Sequence, residues 1–138
     1  MNLLDSDSVT LLAAGHPRVT ERVLSATELV ATTIITRIEV LRGRFEYLLK
    51  AADGGQLQRA QQLLEQSERD LAKLVLVPIK AAAAAEFDRL RQNKKLKNIG
   101  RADLLIACIA LAEPATLITR NLRHFRQVPG LKMENWAD

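Results

Sequence analysis

The sequence predicts an α/β fold, a three-layer α/β/α sandwich with a mostly parallel sheet and a protruding helical hairpin. Short, almost wholly apolar segments alternate with segments of helical periodicity, which is typical of parallel strands buried on both faces. The break at Asp53-Gly54-Gly55 separates two long amphipathic segments, which predicts two antiparallel helices joined by a turn. With 138 residues the chain has room for one sizeable core, so we expect residues 1–138 to form a single domain.

Local signals mark the elements of the N-terminal half. The apolar segment Met1 to Leu4 predicts a strand, and the capping residues Asp5 to Ser8 predict a helix that starts directly after it. The segment Gly15 to Pro17 ends this helix and opens a second one. β-Branched residues without polar alternation predict a buried strand at Val30 to Ile35.

The hairpin and the C-terminal half show the same alternation. Apolar residues at helical spacing predict one helix from about Thr36 and another after Gly55. The remaining predicted elements are a strand at Leu74 to Val77, a helix from Ala81 to Leu90, a basic loop at Asn93 to Gly100, a helix opened by Asp103, a strand at Ala115 to Thr119 and a short strand near Leu131 to Met133.

The composition narrows the classes of function. The 20 Lys and Arg residues against 16 Asp and Glu residues give a net charge of +4, which suits a polyanionic partner. Aromatic residues are only 4% of the chain, so a base-stacking platform is not expected. The single cysteine, Cys108, lies in an apolar run and is interpreted as core, which fits a reducing cytoplasm. The sequence shows no signal peptide and no bilayer-spanning segment, so we expect no membrane association.

Three acidic residues adjoin short apolar stretches at widely spaced positions. They are Asp5, Glu39 and Asp103, and Asn121 also falls just past a predicted strand. Ligands of parallel α/β sheets bind beyond the carboxyl ends of the strands, so the topology is expected to bring these side chains together. Two like charges about 4 Å apart near a protein surface repel by roughly 4 kcal/mol, which favours cation binding. Oxygen ligands indicate Mg²⁺ or Mn²⁺ rather than zinc.

Four blocks of sequence carry a family resemblance. They are LLDSD at 3–7, TTIITRIEVLRG at 32–43, IGRADLLIACIAL at 99–111 and TLITRNLRHFRQVPGLKMENW at 116–136. In order, spacing and flanking residues they resemble the PIN-domain ribonucleases, specifically the VapC-type toxins of bacterial toxin–antitoxin pairs. The resemblance covers nearly the whole chain.

This resemblance implies a site and an activity. The acidic ligands of the family fall on Asp5, Glu39 and Asp103, and a fourth position falls on Asn121, where many members have Asp. Thr119 is expected, by the same resemblance, to orient a water or the backbone near the metal. The implied reaction is Mg²⁺- or Mn²⁺-dependent hydrolysis of RNA, with 5′-phosphate and 3′-hydroxyl products.

The resemblance also implies partners. They are RNA, a small antitoxin that places a basic side chain among the acids, and a second copy of the chain in a homodimer. The hairpin from Ile38 to Leu74 is the candidate wall of the antitoxin groove. A set of basic residues either tracks phosphates or forms a solvated face: Lys94, Lys95, Lys97, Arg101, Arg42 and Arg44.

Structural roles compete with each of these assignments. Thr36 and Glu39 also form the pattern of a capping box, and Asp5 or Asp103 alone suits a helix N-terminus. His16 is interpreted as a turn residue and His124 as packing or solvent-facing, so neither is assigned to chemistry.

Three other functions compete with the toxin. A catalytically weakened PIN-fold module that binds RNA or a partner is motivated by Asn121. A signalling receiver requires an Asp at the end of the third strand, where Leu74 to Lys80 has none. A PIN-like enzyme that cuts DNA flaps or processes ribosomal RNA is disfavoured by the small size and the near-complete VapC-like match.

Overall fold

The computed structural model describes residues 1–138 and contains a five-stranded sheet in the order β3-β2-β1-β4-β5. The elements are β1 (Asn2–Leu4), α1 (Ser6–Ala13), α2 (Pro17–Ser25), β2 (Val30–Thr33), α3 (Ile34–Leu49), α4 (Gly54–Ala72), β3 (Val75–Val77), α5 (Ala81–Leu90), a 3₁₀ helix (Lys94–Leu96), α6 (Arg101–Ala112), β4 (Thr116–Ile118), α7 (Leu122–Phe125) and β5 (Lys132–Glu134). All neighbouring strands are parallel. The predicted α/β fold is confirmed, and the sheet is parallel throughout.

The apolar strands supply cores on both faces of the sheet. Successive residues of a strand point to opposite faces, and the neighbouring strands β1 and β4 show this directly. Leu3 and Leu117 belong to the core covered by α5, α6 and α7, whereas Leu4 and Ile118 belong to the core covered by α1, α2 and α4. Helices therefore cover both faces, which confirms the predicted three-layer sandwich.

Helices α3 and α4 form the predicted hairpin. The Asp53 side chain accepts a hydrogen bond from the Gln56 amide at 2.8 Å and caps the start of α4. Apolar side chains on its outer part stay exposed, including Phe45, Tyr47 and Leu49. The hairpin therefore stands out from the sandwich.

The boundary between β2 and α3 differs from the prediction. The strand ends at Thr33 rather than Ile35, because the fully buried Thr33 hydroxyl accepts a hydrogen bond from the Thr36 amide at 3.0 Å and caps a helix that begins at Ile34. Thr36 lies inside the helix, so the capping box at Thr36 and Glu39 is wrong. β-Branched residues on both sides of the junction hid this boundary.

The segment that leads into α6 also differs in detail. The predicted basic loop contains the 3₁₀ helix, which begins after Asn93, and α6 starts at Arg101, so Asp103 lies in its first turn. Gly100 separates the two helices with φ 85° and ψ 146°, a conformation that only glycine adopts easily. Cys108 is 1% exposed and is a core residue, as predicted. None of the helices has the length and apolar character that crossing a membrane requires.

Candidate active site

A pocket of about 340 Å³ lies at the carboxyl ends of β1, the central strand of the sheet, and of its neighbour β4. We call it the acidic pocket. Its lining residues are Asp5, Ser6, Asp7, Glu39, Asp103, Arg120, Asn121 and Phe125. All four side chains predicted from the sequence therefore line one cavity.

Asp5 joins the end of β1 to the start of α1. Its Oδ1 accepts a hydrogen bond from the Ser8 amide at 2.9 Å, so it caps the helix while it faces the pocket. The residue is 7% exposed, and this burial raises the pKa of the Asp5 carboxyl above its ordinary value. Hydrogen bonds from Thr119 and Ser8 oppose that rise, and the charge of Asp7 adds to it. The cap and the pocket acid are thus the same residue.

Glu39 is oriented by a residue that the sequence did not single out. The Ser6 hydroxyl donates a hydrogen bond to Glu39 Oε1 at 2.6 Å. Ser6 Oγ also lies 3.3 Å from Thr36 Oγ1, so it bridges the start of α1 and the first turns of α3. The only signal for Ser6 in the sequence is its position beside Asp5.

Asp103 is held by His124, a residue that the sequence interpretation left without a role. His124 Nε2 lies 2.9 Å from the Ile99 carbonyl oxygen and 3.0 Å from Asp103 Oδ2. Because a carbonyl oxygen only accepts, Nε2 carries a hydrogen, and that hydrogen also faces the carboxylate. His124 therefore orients Asp103. The two residues lie far apart along the chain, and no sequence motif indicates that they are in contact.

The acids of the pocket affect one another electrostatically. Burial raises the pKa of Asp103, the charge and hydrogen bond of His124 lower it, and the negative charges of Glu39 and Asp5 raise it again. This mutual repulsion shows that the carboxylates share one electrostatic environment. An added cation would relieve the repulsion.

The segment after β4 completes the pocket. Thr119 is fully buried, and its Oγ1 accepts a hydrogen bond from the Asn121 amide at 3.0 Å. The Asn121 side chain caps nothing and faces the pocket from an exposed position. Arg120 is the one cation in the lining, and its guanidinium lies 3.7 Å from the Asp138 carboxylate. Arg120 was not predicted, and nothing in its sequence context distinguishes it from other surface arginines.

The donor chemistry of the pocket fits a hard divalent cation. The candidate ligands offer only carboxylate and amide oxygens, which Mg²⁺ and Mn²⁺ prefer. As the side chains stand, no three His, Cys, Asp or Glu residues lie close enough to hold a metal ion together. Mg²⁺ commonly keeps several waters and is held by one or two carboxylates, so a cavity of about 340 Å³ has room for a hydrated ion.

Comparison with known proteins decides the family. The model of the PIN domain family matches residues 4–131 of the chain. The chain belongs to the PIN domain family. The resemblance drawn from the four sequence blocks is therefore confirmed, and the sandwich with its acidic pocket is a PIN domain.

Curated relatives of this PIN domain include ribonucleases. Ribonuclease VapC2 of Rickettsia felis is 40% identical over 68 residues, which cover 48% of this chain and 51% of that protein. The chain thus matches about half the length of that relative. Ribonuclease VapC1 of Haemophilus influenzae strain R2866 is 28% identical over 144 aligned positions, which cover 98% of this chain and 97% of that protein.

A solved structure shares the fold. The crystal structure of VapBC2 from Rickettsia felis, bound to a DNA fragment from their promoter, matches with a TM-score of 0.75 at 27% identity. The match covers 98% of this chain and 98% of that one. The likeness of this PIN domain to a member of a VapBC pair therefore extends over the whole sandwich, including the α3–α4 hairpin.

Proposed function

We propose that residues 1–138 form one PIN domain that acts as a metal-dependent endoribonuclease, the toxin of a toxin–antitoxin pair. The observation that carries this proposal is the acidic pocket, where Asp5, Glu39, Asp103 and Asn121 present oxygen atoms at the carboxyl edge of the sheet. Membership of the PIN domain family and the ribonuclease relatives support the reaction class.

The same four side chains are the proposed ligands of Mg²⁺ or Mn²⁺. When bound, such an ion lowers the pKa of an attacking water and stabilises the charge that develops on the phosphodiester. Burial raises the pKa of Asp5 and of Asp103, and a bound cation would oppose that rise by favouring the ionised carboxylates. By the family resemblance, Asn121 adds a neutral oxygen at a position where an Asp is common, so it contributes less to affinity than a carboxylate would.

Neighbouring side chains of this chain hold the ligands in place. Ser6 donates to Glu39, His124 donates to Asp103, and the buried Thr119 supports Asp5 and the Asn121 backbone. Arg120 places the one guanidinium of the pocket where it can contact a phosphate oxygen of the substrate. Nothing in this arrangement requires the 2′-hydroxyl of RNA.

The proposed partners follow from the family resemblance and from the surface. The net charge of +4 suits RNA, and the exposed apolar residues of the hairpin, such as Phe45 and Tyr47, suit a protein partner. We propose that the chain binds a small antitoxin and forms a homodimer. We also propose that it acts in the cytoplasm, where RNA substrates are found.

Cleavage of a structured RNA pool tests the proposal. The purified protein is incubated with Mg²⁺ or Mn²⁺, with EDTA as the metal control, and the product ends are identified. Glu39→Gln removes one proposed ligand charge, and Glu46→Gln makes the same change at an exposed position of the same helix, outside the pocket. We expect metal-dependent cuts with 5′-phosphate ends in the wild type and in Glu46→Gln, and none in Glu39→Gln.

Other outcomes contradict the proposal in distinct ways. Equal cleavage by Glu39→Gln and the wild type would remove the acidic pocket from the reaction. Metal binding and RNA binding without cleavage, in protein free of antitoxin, would favour the catalytically weakened binding module. Calorimetric titration with Mn²⁺ separates a pocket that plays no part from a binding module that does not cleave. If Glu39 is a ligand, Glu39→Gln binds the ion more weakly than the wild type does.

A further inference from the structure

We infer that a second cavity, beside the acidic pocket, binds the phosphodiester backbone of the RNA strand whose scissile bond lies in the acidic pocket. This inference rests on the proposed nuclease function and adds a binding site to it. The cavity has a volume of about 440 Å³ and lies between the end of α5, the 3₁₀ helix and the start of α6. We call it the basic cavity.

The charges around the basic cavity have one sign. Four cationic side chains line it and no acidic side chain does: Arg91, Lys94, Lys97 and Arg101. All four residues are exposed. Lys94 and Lys97 have no ion-pair partner, and Arg91 has only the exposed Asp88, whose Oδ1 lies 3.6 Å from Arg91 Nε. Such a concentration of largely unpaired positive charge in a cavity attracts a polyanion.

A rigid apolar floor supports these cations. Leu90, Leu96, Ile99 and Leu104 line the base of the cavity and are each at most 6% exposed. The Arg101 guanidinium is held over the ring of Phe87 at 5.0 Å from the ring centroid. The four apolar lining residues belong to the core, and every charged side chain of the lining is cationic, which favours a phosphate group as the partner.

The start of α6 also borders the basic cavity. Gly100, which lines it, precedes α6 and supplies no side chain to cap the helix. The amides of the first turn of α6 therefore have no side-chain acceptor, and amides at a helix start favour negative charge. These donors add to the four cations and do not define the cavity alone.

One short segment joins the basic cavity to the acidic pocket. Ile99, Gly100 and Arg101 line the former, and Asp103, on the same turn of α6, lines the latter. His124 Nε2 bonds both to the Ile99 carbonyl oxygen and to Asp103 Oδ2, so the two walls are tied together. A strand held by the basic cavity is thus led towards the carboxylates.

Salt-dependent binding of single-stranded RNA tests this inference without any cleavage. Fluorescence anisotropy of labelled oligo(U) and oligo(A) is measured in EDTA over a series of salt concentrations. The test variant is Lys94→Gln with Lys97→Gln, and the matched control is Lys50→Gln with Lys132→Gln, two exposed lysines outside the basic cavity. The slope of log K against log salt is negative. Its magnitude should decrease by about 0.7 for each lost phosphate contact on a single strand, or by about 1.4 for the test pair.

The expected result is this smaller slope in the test variant with both RNAs, and the wild-type slope in the control. An equal slope in the test variant and the wild type, or no binding by the wild type, would overturn the inference. A loss confined to one of the two RNAs would indicate base recognition and would also overturn it. Binding of polyglutamate with the same dependence on Lys94 and Lys97 would show a general polyanion site instead.

A second readout separates this inference from the proposed function. Metal-dependent hydrolysis of bis(p-nitrophenyl) phosphate, which is too small to span both sites, should be equal in the test variant and the wild type. If the wild type hydrolyses neither this ester nor RNA, the nuclease proposal fails while the binding series still decides the role of the basic cavity. If hydrolysis is intact and the slope is unchanged, only the basic cavity is wrong.

Discussion

Asp5 shows how one side chain serves the fold and the pocket together. Its carboxylate caps α1 through the Ser8 amide, a role that typically contributes about 1 kcal/mol. Burial nevertheless raises the pKa of the carboxyl, so the ionised form is less stable in the folded chain than in water. A cap alone does not require a charge, since Asn caps a helix as well as Asp does. The negative charge of Asp5 is therefore not needed for the cap, and it is the feature that suits metal binding.

The first prediction concerns metal-free stability after substitution of Asp5. A folded-state pKa above the ordinary value of 3.8 means that stability is lost as the pH rises through that raised pKa. Asp5→Asn removes this loss and keeps the cap, so in EDTA it should be more stable than the wild type at neutral pH, with no gain below pH 3.8. Asp5→Ala should be about 1 kcal/mol less stable than Asp5→Asn, because the cap is lost.

Urea unfolding of the three proteins in EDTA measures these differences. The comparison of Asn with Ala at position 5 isolates the cap, and the comparison of Asn with Asp isolates the charge. A lower stability of Asp5→Asn than of the wild type at neutral pH would show that the ionised carboxylate is favourable in the fold without metal.

His124 illustrates a residue that acts through another. Its hydrogen bonds to the Ile99 carbonyl and Asp103 fix a carboxylate that the chain otherwise leaves half-buried and repelled by Glu39 and Asp5. Partners that orient a metal-ligating side chain typically matter by about 10–100-fold in metal affinity. His124 is thus a positioning residue for the proposed ligand Asp103.

The second prediction is that His124→Ala weakens Mn²⁺ binding by about 10-fold or more, because Asp103 loses its orienting donor. His124→Gln retains an N–H donor and should restore most of the affinity. Isothermal titration calorimetry gives the affinities, and thermal unfolding in EDTA gives the structural effect of each variant. If Gln and Ala weaken binding equally while both fold normally, the hydrogen bond to Asp103 has no part in holding the ion.

At the scale of elements, two helix starts determine where the pocket residues point. Thr33 ends β2 and caps α3, which places Glu39 in the second turn of the helix. Gly100 directly precedes α6, which starts at Arg101 and has Asp103 in its first turn. Both junctions lie at the carboxyl edge of the sheet, so a local change there moves a proposed ligand directly.

The third prediction tests the backbone at Gly100. A Cβ there meets no atom within 4 Å, so Gly100→Ala is opposed only by the backbone conformation with φ +85°. Such a conformation costs a non-glycine residue about 1–3 kcal/mol, and we expect the variant to be destabilised by that amount. Gly43→Ala, also without a contact within 4 Å but inside α3, should instead stabilise the protein by about 0.5–1 kcal/mol.

Chemical unfolding of both glycine variants under the same conditions provides the measurement. Opposite signs for the two Gly→Ala changes would show that backbone conformation, rather than side-chain contact, decides each. A neutral Gly100→Ala would mean that the junction adopts a different conformation in solution.

For the molecule as a whole, the parallel sheet explains why distant residues meet. Every strand ends at the same edge, and the residues that follow β1, β2 and β4 therefore converge, although the chain separates Asp5 from Asn121 by nearly its whole length. The molecule that contains this acidic pocket has a net charge of +4. Part of that positive charge is concentrated in the basic cavity beside the pocket. The acidic pocket and the basic cavity thus share no lining residue, although both include residues of the first turn of α6.

The periodicity of the sequence was sufficient to predict the three layers of the fold. It did not predict the boundary between β2 and α3 correctly. The mostly apolar runs at 1–4 and 115–119 predicted buried strands, and the structure has strands at Asn2–Leu4 and Thr116–Ile118. Residues 34–35 were misassigned to the strand because β-branched residues suit a strand as well as the start of a helix. Hydrogen bonds decide such a boundary, and periodicity does not record them.

The sequence by itself, with the family resemblance it carries, determined the fold class and the four pocket residues Asp5, Glu39, Asp103 and Asn121, because strand ends, helix starts and the polar residues beside them are local features of the chain. Only the tertiary structure decided that Ser6 orients Glu39, that His124 orients Asp103, and that four cations share a cavity. Each of these depends on distances between side chains from different elements. Such distances are set by the packing of helices on the sheet, which no local pattern in the sequence encodes.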